Sequence, residues 1–138
     1  MTKIKLKKIA SRQLVVTLKL NGTQGTFILD TGAGNSILAN SQKSKFGLEE
    51  KAIQASAETG LGFGGGGIAL ETAIISELTI GRLKLHDFPL FLMDMQELNA
   101  GFEAEGIQAI DGVLGADILF MLNAIIDYKK RLLILSRA

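Results

Sequence analysis

The chain has 138 residues, of which 47% are hydrophobic and 21% charged. That suits one domain with a real core and argues against disorder. Fifteen Lys and Arg against fourteen Asp and Glu give no bulk signature of nucleic-acid or membrane binding. The absence of Cys excludes disulfides, thiolate chemistry and Cys-based zinc sites, and a single His leaves little room for a His-rich metal site or a Ser-His-Asp triad.

The first segment, Met1 to Lys8, alternates Lys with apolar residues, and no long apolar run follows it. It is read as a basic N-terminal extension, residues 1–12, solvated and mobile, ahead of a single domain over residues 13–138. With no stretch of about 18 apolar residues for a membrane span and no secretory pattern, a cytoplasmic location is expected. Gln13 to Leu20 has strand periodicity, with Leu14, Val16, Leu18 and Leu20 on one face. Asn21-Gly22 is a hairpin turn pair because both positions accept positive φ. Thr26 to Leu29 then runs straight into Asp30-Thr31-Gly32. Ser36 to Leu38 reads as a short strand, Ala39 to Leu48 as a short polar helix ending at Gly47, and residues 53–58 as another strand.

Gly60 to Gly67 is a glycine-dense loop. Ile68 to Ile80 alternates, with Ile68, Leu70, Ile74, Leu78 and Ile80 predicted to share a face. Gly81-Arg82 is a turn. Leu83 to His86 and Phe88 to Met93 read as two strands interrupted at Pro89, which points to an edge position. Residues 94–109 are predicted as a surface loop with one helical turn. Ile110 to Gly115 precedes a short helix, Ala116 to Leu122, with Asp117 in its first turn and Ile118, Met121 and Leu122 on one side. Ala124 to Asp127 and Leu132 to Leu135 are the last strands. Many short strands and one short helix near the end predict a mostly β domain, closed into a barrel or sandwich.

The segment that carries chemistry is Phe27 to Ala33. An acid placed directly after an apolar strand is costly if buried alone, and the adjacent Gly32 lets another backbone approach closely. Such a carboxylate is suited to activating water, but acid–base hydrolysis also needs a partner that stays protonated. Two carboxylates about 3 Å apart share a proton. The chain offers one acid in this setting, and a two-fold axis would supply the second. Asp111-Gly112 has the composition of a turn before a strand rather than of a second catalytic acid. Gly60 to Gly65 fits G-x-G-x-x-G, but strand periodicity follows it where a dinucleotide site needs a helix. Glu71 and Glu77 read as the solvated face of a strand, and His86 is assigned no role.

Leu29-Asp30-Thr31-Gly32-Ala33 resembles the active-site motif of the retropepsin-like aspartic peptidases, and Val113-Leu114-Gly115 is similar to that family's second motif, which packs on the catalytic loop. The resemblance runs from about Leu14 to Leu135 and is nearest to the family's bacterial branch. It implies a single-lobe, mostly β acid-protease barrel with one short C-terminal helix. It implies an aspartic endopeptidase, active as a homodimer on peptide or protein substrates, with Asp30 as catalytic acid/base and no cofactor or metal. Thr31 would bond across the dimer, and Gly32 and Ala33 would support the loop and meet substrate backbone. Gly62, Phe63, Gly64, Gly65 and Gly66 would form a flap. The retroviral relatives pair through their termini, and Leu132 to Leu135 with Ser136 to Ala138 could serve. Ala33 has no hydroxyl to donate to the carboxylate, so the expected pH–rate profile lacks a sharply acidic optimum. The alternative is an inactive module of the same fold that binds extended peptides or mediates dimerisation. A nucleotide-binding domain built on the Gly60–Gly67 loop is a further rival.

Overall fold

The computed structural model describes residues 1–49, 53–60 and 68–137, with residues 55–60, 68 and 69 described by backbone only. The strands are β1 (Thr2–Lys5), β2 (Lys7–Lys8), β3 (Leu14–Leu20), β4 (Thr23–Leu29), β5 (Ile37–Ala39), β6 (Ile53–Gly60), β7 (Ile68–Ile80), β8 (Leu83–Met93), β9 (Gly112–Leu114), β10 (Ile125–Asp127) and β11 (Leu132–Leu135). Two helices join them, α1 (Gln96–Ala104) and α2 (Ala116–Met121).

One sheet runs β2-β3-β4-β9-β5-β8-β7-β6, and an added pairing of β3 with β7 closes its middle six strands into a barrel. The hairpin β3–β4 starts this closure. Asn21 and Gly22 take φ of 51° and 85°, the positive values its tight turn requires. The expected mostly β barrel is therefore present. A second, three-stranded sheet runs β1-β11-β10. The main core holds Leu18, Leu20, Phe27, Ile75, Leu78, Ile80, Leu114 and Ile118, all at most 2% exposed. A smaller cluster joins Val15, Ile28, Ile37 and Val113 to Met95, Phe102 and Ile110.

Several sequence-based expectations are corrected. Residues 2–5 are not a mobile arm: β1 pairs antiparallel with β11, from Thr2 opposite Leu135 to Lys5 opposite Leu132. Lysines alternate with Thr2 and Ile4, and that period of two is what a strand needs to turn Thr2 inward and its charges outward. Leu6, next in the chain, is buried in the main core.

Ala39 to Leu48 forms only a 3₁₀ turn at Asn40–Gln42 followed by turns. Its Asn40 and Ser41 compete with helix by side-chain bonding, and Asn40 donates to Glu71 Oε1 at 2.6 Å. Glu71 therefore has a partner rather than simply a solvated position.

The predicted common face of β7 also fails. Ile74 is 54% exposed while Ala73 and Ile75 are buried. Leu70 faces the smaller cluster, and the face toward the main core passes from odd residues to even ones between Ile75 and Leu78. Asp87, on the adjoining stretch of β8, has positive φ there. The Leu83–Met93 segment is one continuous strand, and Pro89 sits inside it opposite Ile74. Its missing N–H costs little because β5 pairs with β8 only from Phe91 onward.

Residues 96–104 form a nine-residue helix rather than a surface loop, docked by Phe102. In α2 the buried residues are Ile118 and Leu119, with Leu122 just beyond, while Met121 faces out. Among the described residues no helix is long and apolar enough to cross a membrane.

Candidate active site

Strand β4 carries Phe27, Ile28 and Leu29 beside Gly112, Val113 and Leu114 of β9 in a parallel ladder. The ladder ends where the Asp30-Thr31-Gly32 motif starts: the Asp30 N–H donates to Leu114 O at 3.0 Å. The chain then turns. Gly32 N–H donates to Asp30 Oδ1 at 2.8 Å, and Ala33 N–H to Asp30 O at 3.2 Å. Asp30 is half-buried, Thr31 and Gly32 are exposed, and Ala33 is buried. The motif thus forms a rigid shelf with its two middle residues open to whatever lies above it.

Val113 and Leu114 are fully buried, and Leu114 O accepts from the Asp30 N–H at the start of this loop. Gly115 matters through close approach. A Cβ there would lie 2.7 Å from Ala33 O and 2.8 Å from Asn35 O, both backbone atoms. Gly112 is equally constrained, with a built Cβ only 2.2 Å from Ile37 O. Because a backbone neighbour has little room to yield, Gly115→Ala is expected to destabilise the fold by about 1–3 kcal/mol, as overpacking does. Urea denaturation would show this as a lower midpoint with an unchanged slope.

A second clasp, not evident from the sequence, ties the loop to α2. Ser36 Oγ donates to Asp117 Oδ1 at 2.7 Å, and Ser36 N–H reaches the same carboxylate at 3.0 Å. Gly115 N–H donates to Ser36 Oγ at 2.9 Å, and Ile118 N–H to Asp117 Oδ1 at 2.8 Å. Two backbone bonds run alongside, Ala116 N–H to Ala33 O at 2.7 Å and Asp117 N–H to Gly34 O at 3.2 Å. Ser36 is 2% exposed. No short-range pattern joins residues 81 positions apart. The one available signal was an acid in the first turn of a helix beginning just after a glycine.

Asp111 is not a second acid of the site. It is 5% exposed, accepts Thr26 N–H at 2.8 Å and pairs with Lys45 Nζ at 3.0 Å. Asp111 lies just before the ladder and Asp30 just after it, so roughly 13 Å of strand separates them. A proton-sharing pair needs about 3 Å. Asp111 instead anchors the start of β9, and its neighbour Ile110 is held by Asn99 of α1, whose side chain both donates to and accepts from that residue's backbone.

The residues assigned to a flap, Gly62, Phe63, Gly64, Gly65 and Gly66, lie outside the described residues. The strands on either side are described: β6 and β7 pair antiparallel, with Thr59 opposite Ala69 and Gly60 opposite Ile68. The terminal strand β11 has β1 on one side and β10 on the other, so it has no free edge for a partner chain, contrary to the expectation for Leu132 to Leu135.

A closed six-stranded barrel with an Asp-Thr-Gly shelf braced by a second apolar-apolar-Gly strand defines a retropepsin-like fold. The aspartyl protease family model matches residues 16–118, and the chain belongs to that family. Solved structures agree in fold. A retropepsin-like aspartic protease from Rickettsia conorii is similar at 17% identity and a TM-score of 0.64, covering 98% of this chain and 89% of its own. The retroviral protease-like domain of Ddi1 from Leishmania major is similar at 20% identity and a TM-score of 0.63, covering 91% of this chain and 90% of its own. The EIAV protease in complex with the inhibitor HBY-793 is similar at 17% identity and a TM-score of 0.53, covering 83% of this chain and 91% of its own. No curated protein matches the sequence.

Proposed function

We propose that the protein is an aspartic endopeptidase whose active site assembles when two copies bring their Asp30 loops together across a two-fold axis. The carrying observation is the Asp30 shelf. The half-buried carboxylate accepts the Gly32 N–H, the Asp30 backbone N–H is held by the Leu114 carbonyl, and Thr31 and Gly32 are left exposed beside it. The other acids near the shelf are committed elsewhere, Asp117 to Ser36 and Asp111 to Lys45 and Thr26. A second copy is the natural source of the missing carboxylate.

In this reading one Asp30 is ionised and takes a proton from a water held between the two groups. The other is protonated and donates to the scissile carbonyl as the water oxygen attacks. The tetrahedral species then collapses as the leaving amine gains a proton. Thr31 of each copy would bridge the axis, and Gly32 would admit substrate backbone. An extended peptide is the substrate class, recognised by main-chain pairing with side-chain pockets setting preference.

The test is cleavage of an unbiased peptide library by the wild type and by Asp30→Asn, at acid to neutral pH. Cleavage by the wild type that disappears in the variant is expected. A folded dimer that cleaves nothing would overturn this reading in favour of an inactive module that binds extended peptides.

A further inference from the structure

The lysines of the N-terminal stretch converge on a groove outside the Asp30 shelf. Leu6 is buried in the main core and pins the chain between β1 and β2. Side chains alternate across an extended strand, so its neighbours Lys5 and Lys7 turn the other way, and both are exposed. Lys8 follows, and β2 lays Lys7 opposite Val15 and Lys8 opposite Leu14 at the outer edge of the large sheet. All three lysines line a groove of about 610 Å³, together with Thr17 and Thr26 of the β3–β4 hairpin and with Gln108.

The groove is cationic and its polar side chains are uncommitted. Among the described residues, Lys5, Lys7 and Lys8 have no ion pair, and no acid lines the groove. The acids at the end of α1, Glu103 and Glu105, lie outside the lining. The side chains of Thr17, Thr26 and Gln108 likewise have no hydrogen-bond partner among the described residues. The inner end is apolar, formed by Val15, Ile107 and Ile110 of the smaller core cluster, with Ile9 packed against them. A neighbouring hollow of about 310 Å³ shares Thr17, Thr26 and Gln108 with the groove, so the concavity continues along the hairpin toward Lys45.

We propose that this groove binds an acidic segment of a polypeptide, with carboxylates on Lys5, Lys7 and Lys8 and an apolar side chain at the Ile9–Ile107 end. Charge complementarity sets the sign of the ligand. Three unpaired ammonium groups around one concavity build a local positive potential that draws in anions. The run of the concavity along the hairpin suits an extended chain rather than a compact molecule. A nucleic-acid strand takes aromatic stacking platforms beside its cations, and the described lining offers apolar aliphatic groups and no aromatic ring. The site is separate from the proposed dyad. Thr26 precedes Asp30 on β4 by roughly 13 Å of strand, and no residue of the Asp30–Ala33 loop lines the groove. The inference therefore stands or falls independently of peptide cleavage.

The experiment is fluorescence anisotropy with a short labelled peptide of alternating Glu and Leu, read on Asp30→Asn chains so that nothing is cleaved. Binding that weakens as salt is raised is expected. Adding Lys5→Gln/Lys7→Gln/Lys8→Gln should weaken it about tenfold, the factor that three exposed ion pairs together support. Thr17→Glu, which sets an acid on the groove floor, should weaken it similarly. The charge-matched control Lys3→Gln/Lys19→Gln/Lys129→Gln lies outside the groove and should bind as the parent does. All the replaced groove and control residues are exposed, so native circular dichroism is expected throughout. Hydrogen exchange needs no groove variant: the peptide should add protection over residues 5–10 and 106–110. A parent that does not bind the peptide would sink the proposal. So would equal loss of affinity in the groove variant and its control, or a peptide with Gln in place of Glu that binds as tightly. Tighter binding of an oligothymidylate through the same three lysines would overturn it in favour of a nucleic-acid site.

Discussion

Mixing wild-type chains with Asp30→Asn chains should lower peptidase activity as the square of the wild-type fraction. With subunits exchanged to equilibrium at equal amounts, about one quarter of the dimers carry two carboxylates, and about one quarter of the activity should remain. The Asp30→Asn homodimer should lose roughly a thousandfold or more, since acid and base are removed together. The mixed dimer should be nearly as poor. Asn has no acidic proton to share, and the lone Asp30 would have to act as base without a protonated partner. The fold should survive the substitution. The Asp30 side chain holds the Gly32 N–H through Oδ1, and Asn offers an oxygen at the same place. Activity that falls in simple proportion to the wild-type fraction, leaving about half at equal mixing, would mean that each copy works alone, and the dyad mechanism would fall. The chain has no internal substitute, because Asp111 sits at the far end of the β4–β9 ladder and is already paired with Lys45.

What the sequence revealed and what it hid follow from the range of the interactions involved. Alternation in Leu14 to Leu20 and the Asn21-Gly22 pair are local signals, and both the strand and the positive-φ turn are present. The Asp-Thr-Gly shelf was legible because its own neighbours build it: Gly32 and Ala33 donate back to Asp30 within three residues. The second motif, Val113-Leu114-Gly115, was legible only through its resemblance, and the structure adds a reason for its glycine: a Cβ at Gly115 would meet the backbone of Ala33 and Asn35. Helix α1 was missed because its apolar signal is carried by few residues, Leu98 and Phe102, with Gly101 between them lowering helix propensity. The N-terminal strand was missed because its lysines read as a solvated arm, and its pairing joins residues from opposite ends of the chain. Its loss as a free terminus changes the functional reading too. With β1 folded onto β11, neither side of β11 is a free edge among the described residues.

The Ser36–Asp117 clasp makes the strongest demand on a residue that does no chemistry itself. Asp117→Ala removes the acceptor of Ser36 Oγ, Ser36 N–H and Ile118 N–H at one stroke. Ser36 is 2% exposed, so its hydroxyl and amide lose their partner where water enters only with difficulty. Each such unsatisfied group costs about 1–3 kcal/mol, and bonds to a charged acceptor lie at the upper end. A loss of roughly 3–5 kcal/mol is expected, a large part of the total stability of a domain this size. Asp117→Asn keeps Oδ1 as acceptor for the same donors and should recover about half or more of that loss. Ser36→Ala should fall between, since it removes the hydroxyl and frees the Gly115 N–H while leaving the backbone bonds in place. The clasp ties the loop after Asp30 to α2. The same variants should therefore weaken self-association as well as stability, whereas Gly115→Ala strains the loop from the strand side. Denaturant titration and sedimentation on Asp117→Ala, Asp117→Asn and Ser36→Ala together decide this. If Asp117→Ala is as stable and as strongly associated as the wild type, the carboxylate does not brace the loop, and the rigidity assigned to the Asp30 shelf has to come from the β4–β9 ladder alone.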